Sequence, residues 1–160
     1  LAVELVERGR RVLHLLIKET AIFVAGVQVA EAHPEAAISL ATTCLELVSE
    51  ATEKLSTLEE KDPNLERACE ELRAARDIFR SIVVGEPPHV AEKFITNGIG
   101  GWSVLALDMA HSHTHRAIDL LTDSKNIEAH RELLELLSKA RRDSSPTTLY
   151  RLSYEMARSK

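Results

Sequence analysis

Five prolines punctuate this 160-residue chain, and each stands where a run of helically spaced apolar residues stops or restarts. Proline removes a backbone donor and clashes with the preceding turn, so it breaks a helix interior yet suits a first helical turn. Between these breaks apolar residues recur at three- and four-residue spacing, and no stretch alternates in the manner of a strand. The chain therefore reads as all-α.

The breaks define about six helices. The first runs from near Ala2 to about Ala32 and ends at His33-Pro34-Glu35. The second extends to about Lys61, with a stripe of Ala37, Leu40, Ala41, Cys44, Val48, Ala51, Leu55 and Leu58. Asp62 can cap a third helix and Pro63 can take its first position. That helix carries Leu65, Cys69, Leu72, Ala75, Phe79 and Ile82 to the loop at Gly85-Glu86-Pro87-Pro88. The fourth segment, His89 to Thr122, is crossed by Asn97-Gly98-Ile99-Gly100-Gly101. Glycines this dense are costly within a helix, so the spacing predicts a short helix, a kink and a second helix from about Trp102. Asp123-Ser124 starts the fifth, with Ile127, Leu133, Leu134 and Leu137 inward, and Ser145-Pro146 starts the sixth. Short connections make successive helices antiparallel neighbours. The expected architecture is a single-domain helical bundle spanning residues 1–160.

Composition narrows the functional classes. Aromatic residues are only 4% of the chain, so the core must be mainly Leu, Val, Ile and Ala. A net charge of −5 lacks the basic footprint of a nucleic-acid binder. Arg8, Arg10 and Arg11 read as a solvated helix face. The most apolar run, Val12 to Ala30, is interrupted by His14, Lys18, Glu19 and Gln28, which argues against a membrane span. Cys44 and Cys69 lie on apolar stripes and read as packed, reduced thiols. With no signal peptide in view, the expectation is a soluble, cytoplasmic protein acting on a small molecule.

Local rules tend to break at functional sites, and they break in three places. His111-Ser112-His113-Thr114-His115-Arg116 makes every face of a helix polar between apolar stretches. His111 and His115, four apart, project from one face and are spaced to share a metal ion. Asp108 lies three residues earlier, as a further ligand or a group orienting a histidine. His113 points elsewhere and is expected to be exposed. The second break is His14, Lys18 and Glu19 in the apolar run. Lys18 either snorkels to the surface or lies buried with a lowered pKa, as an amine nucleophile would. Glu19 is either a general base or a solvated residue. The third is the glycine cluster before Trp102, which either restarts a helix or clears space for a ligand beside the backbone.

The His111 and His115-Arg116 element resembles the late HxxxHR element of DinB-like four-helix proteins, which include metal-dependent hydrolases and transferases. Those proteins usually continue with Gly-Gln, where this chain has Ala117-Ile118. The whole chain is similar in style to computationally designed helical enzymes, including zinc hydrolases. Leu58 to Ala68 and Ser145 to Leu152 show it in their first-turn prolines, Asp or Ser caps and Glu/Arg-rich faces.

Together these features set the expectation of a zinc hydrolase. A catalytic zinc needs three protein ligands and an open position for water. His111 and His115 would supply two and His14 the third, with His33, His89 and His130 as other choices. Glu19 would be the base and Lys18 would stabilise negative charge. Two further readings stay open: a Schiff-base enzyme using Lys18, and a non-enzymatic ligand-binding or interaction bundle.

Overall fold

The structure is a computed structural model describing residues 2–58, 62–87, 99–123 and 130–159; within these, the side chains of 14–24 and 99–100 are outside the description. Among the described residues six α-helices follow in order: α1 (Ala2–Ala32), α2 (Pro34–Ser56), α3 (Pro63–Val84), α4 (Ile99–Thr122), α5 (Arg131–Asp143) and α6 (Pro146–Ser159). No strand occurs among the described residues.

The caps explain the boundaries. Asp62 Oδ1 accepts the Asn64 amide at 2.9 Å, and Pro63 fills the first helical position of α3. That helix ends on Gly85, whose left-handed φ of 79° lets its amide reach the Ser81 and Ile82 carbonyls. Ser145 starts α6 by accepting from the Thr148 amide at 3.3 Å.

Three boundaries differ from the spacing. The second helix closes at Ser56, where Ser56 and Thr57 hydroxyls turn back to the Glu53 and Lys54 carbonyls, before the expected Lys61. The segment from Ile99 is already helical, so glycines 100 and 101 lie inside the first turn of α4; the expected helix and kink before it lie outside the described residues. The fifth helix begins at Arg131, not at Asp123-Ser124; residues 124–129, with Ile127, are outside the description.

Helices α2 to α5 form the centre: α2 packs on α3 and α5, and α4 fits between α3 and α5. The pair α1 and α6 lies together against α4 and α2. One contiguous core draws on all six helices, from Ala30 of α1 to Leu149 of α6. Alanines at Ala36, Ala37, Ala41, Ala51, Ala68, Ala75, Ala106, Ala110, Ala117 and Ala140 are buried in it, which lets the helices approach closely. Phe79 and Trp102 supply its bulk. Cys44 is fully buried and donates to the Ala140 carbonyl at 3.4 Å. Burial, aided by the Asp143 carboxylate, pushes its thiol up to about 12, so it stays protonated and inert at neutral pH. Cys69 is partly buried and also unbridged. Among the described residues no helix is long and apolar enough to cross a membrane.

Candidate functional site

The polar stretch 111–116 is explained by its two neighbours. On the α3 side, Glu71 Oε2 lies 2.6 Å from His113 Nδ1 and 3.7 Å from Arg116 Nη1. His113 is therefore half-buried against α3, where the sequence placed it in solvent. A single helix pattern shows which residues share a face but not that a second helix covers the opposite face. Thr114 is fully buried and bonds back to the Ala110 carbonyl at 2.9 Å.

On the α5 side stand the two expected metal ligands. His111 Nδ1 is 3.2 Å from Ser144 Oγ, and that hydroxyl donates to the Ala140 carbonyl at 2.7 Å. The hydroxyl proton being committed, the imidazole must donate through Nδ1–H, which assigns the tautomer. The Arg141 carbonyl also takes part. His111 thus adds to the cap at the end of α5, where the Ala140 carbonyl accepts both the Ser144 amide, at 3.0 Å, and the Ser144 hydroxyl. Burial lowers the His111 pKa, outweighing the Arg141 carbonyl and the Asp108 carboxylate that favour the charged form. His115 is exposed: its Nδ1 is 3.3 Å from the Arg141 guanidinium and its Nε2 is 3.5 Å from Asp119 Oδ2.

The lowered pKa gives a pH dependence with a definite sign. Above the unfolded value near 6.5 both states are neutral, and the buried ring contributes fully. As the pH falls below it, the unfolded chain takes up a proton before the folded one does, and stability drops. We expect the unfolding midpoint in urea to fall between pH 7 and pH 5. His111→Gln is expected to flatten that slope; an unchanged slope would remove His111 as its source.

Among the described residues no group of three His, Cys, Asp or Glu is placed to hold a metal ion. The other expected site residues, His14, Lys18 and Glu19, lie on α1, but their side chains fall outside the description, as does the whole of His89. His33, at the N-cap of α2, has its Nδ1 3.4 Å from Glu35 Oε1. His130 is buried at the start of α5, and neither ring nitrogen has a hydrogen-bond partner among the described residues.

Beside His111 the helices leave a cavity of about 200 Å³. Its floor is Leu107 of α4, Leu149 of α6 and Ser144, all buried. Val27 of α1, Val104 and Leu105 of α4, Pro146 and the Tyr150 ring form the walls. Two carboxylates, Glu31 of α1 and Asp108 of α4, stand exposed at its rim, and among the described residues no lysine or arginine lines it.

Two glycines shape this space. An added Cβ at Gly26 would come within 2.6 Å of the Tyr150 ring, so only glycine lets that ring lie against α1. Gly101, from the cluster before Trp102, lines the cavity without filling it. Trp102 itself is packed in the core. Burial, and next the Asp108 carboxylate, raises the Tyr150 pKa, so its phenol is neutral at neutral pH.

Sequence reasoning reached Asp108 and, through the cluster before Trp102, Gly101, but not Gly26. It missed Tyr150, Glu31 and the apolar walls. The available signal for Tyr150 was rarity, since the chain has only two tyrosines.

Comparison of the chain with protein-family models, with curated proteins and with solved structures returned no match.

Proposed function

We propose that the protein is a helical ligand-binding bundle whose cavity takes a small organic cation. The observation that carries this reading is the cavity's construction: an apolar interior whose rim charges, among the described residues, are both carboxylates. A cavity of roughly 150 Å³ holds benzene when lined by apolar side chains. The space here suits a primary amine on a single ring or branched chain, of about ten non-hydrogen atoms. Its apolar body would lie on Leu107 and Leu149. Its ammonium would sit at Asp108 and Glu31, within reach of the Tyr150 ring face, which attracts a cation.

The test is a calorimetric comparison of benzylamine, benzyl alcohol and benzoate. The amine is expected to bind best and benzoate worst. Asp108→Asn is expected to weaken the amine about fivefold, the worth of a partly exposed charge pair, and to leave the alcohol unchanged. Equal binding of all three probes would sink the reading.

A zinc hydrolase centred on His111 and His115 is a second reading. It draws on one observation: Nδ1–H of His111 is held by Ser144, which leaves Nε2 with the lone pair a metal takes. It requires His115 to leave Arg141 and Asp119, and a third ligand from outside the described side chains, such as His14. With it, Lys18 and Glu19 would keep the roles expected of them. Metal analysis of the purified protein and of His111→Ala separates it from the first reading.

A further inference from the structure

We infer that the cavity takes an aromatic amine in preference to a saturated amine of the same size, and that Tyr150, seated on Gly26, makes the choice. The inference rests on the cation reading of the cavity and narrows its ligand class.

The Tyr150 ring is held at its root. A Cβ placed on Gly26 would stand 2.6 Å from both Cγ and Cδ2 of the tyrosine and 3.2 Å from its Cβ. An approach to that bond in the plane of the ring would bring the tyrosine Cβ nearest of the three. The longer distance to Cβ therefore sets α1 over one face of the ring, not at its edge. Gly26 is itself buried. The far end of the ring has a neighbour on another helix: the Asp108 carboxylate of α4 is close enough to act on the phenol. The ring thus reaches from α1 towards α4 along one side of the cavity, as a wall that is in place before any ligand arrives.

With one face covered by α1, Tyr150 offers a guest its other face or its rim. Aromatic rings attract each other in both arrangements, offset-stacked on a face or edge-to-face at a rim, because the negative face of one meets the positive edge of the other. A saturated ring has no such quadrupole and gains contact alone. The walls at Val27, Val104 and Leu105 and the floor at Leu107 and Leu149 are aliphatic, so they do not distinguish the two bodies. Among the described residues Tyr150 is the one aromatic residue that lines the cavity. A preference between bodies of equal size therefore traces to it.

The experiment is calorimetry of the full chain at neutral pH with benzylamine and cyclohexylmethylamine. Each is a primary ammonium ion with one methylene and one six-membered ring. The wild type is expected to bind benzylamine about fivefold more tightly, the middle of what an aromatic pair adds beyond buried area. Tyr150→Phe keeps the ring and is expected to keep the ratio. Tyr150→Leu keeps an apolar wall without a ring, and the ratio is expected to fall to about one, whatever both amines lose together through the cation's contact with the ring. Gly26→Ala drives a methyl into the ring without altering a residue that lines the cavity, and is expected to lower the ratio too. Tyr150→Leu decides the matter if the alanine variant does not fold. A wild type that binds both amines equally, or favours the saturated one, overturns the inference while the cation reading stands. A ratio that survives Tyr150→Leu also overturns it, since the choice is then made elsewhere. If neither amine binds the wild type, the cation reading itself fails and the inference falls with it.

Discussion

Phe79→Ala is expected to lower the stability of the fold by about 3–5 kcal/mol. Phe79 is fully buried on α3, the helix that packs between α2 and α4. It heads the fully buried side chains in volume, in a chain with only three phenylalanines. Truncation removes the transfer free energy of the ring and leaves a void that its neighbours must shrink to fill. Many of the core residues on α2 and α4 are alanines, too short to move into the space. Their backbones are held on the far side by α5, so collapse would have to break a second contact. Urea denaturation measures the loss. Phe79→Leu, which keeps most of the volume, is expected to cost about 1.5 kcal/mol or less. If the alanine variant lost no more than the leucine variant, the side chain would not be the filler of a tight core.

The second large effect is on binding. Val104→Trp is expected to weaken benzylamine by about a hundredfold, since a ligand excluded from its pocket loses most of its buried contact. Val104 is a half-buried wall of the cavity, next to the space, and the indole has a direction in which to grow. The fold is expected to survive with a small change in urea midpoint, because the indole fills space that is otherwise empty. Calorimetry of the variant with the amine and with the alcohol reads the outcome. Both probes must be lost together, unlike in Asp108→Asn, where only the charged probe suffers. Retained affinity for either would place the binding site elsewhere.

The architecture was legible because proline and caps act locally. Pro34, Pro63 and Pro146 each stand at the first position of a helix, as their fixed backbone angle requires. The stripe from Ala37 to Leu55 is buried or packed on the core throughout, because a helical period fixes one face whatever lies opposite. The end of α2 was less legible, since hydroxyls at Ser56 and Thr57 can either continue or close a helix.

The site was legible only in fragments. The polar run at 111–116 announced that α4 was unusual, but its partners Glu71 and Ser144 come from other helices. Spacing along one helix cannot tell two histidines that await a metal from two that meet Ser144 and Arg141. The cavity is harder still to foresee. Its lining joins Val27 to Leu107 and Tyr150, which approach only once α1 and α6 lie together on α4. Gly26 carries no visible purpose in the sequence until Tyr150 is set against it.

The long α1 has a mechanical consequence. Its first turns, exposed from Ala2 to Leu13, are held chiefly by their own backbone bonds, and helical turns without tertiary support are marginal in water. Its last turns, around the buried Gly26 and Ala30, are locked between neighbours. Backbone amides near Leu5 should therefore open at almost no cost, while those near Ala30 open only when the bundle does. Arg8, Arg10 and Arg11 lie in the loose half, so trypsin can trim α1 back towards the bundle while the core stays closed.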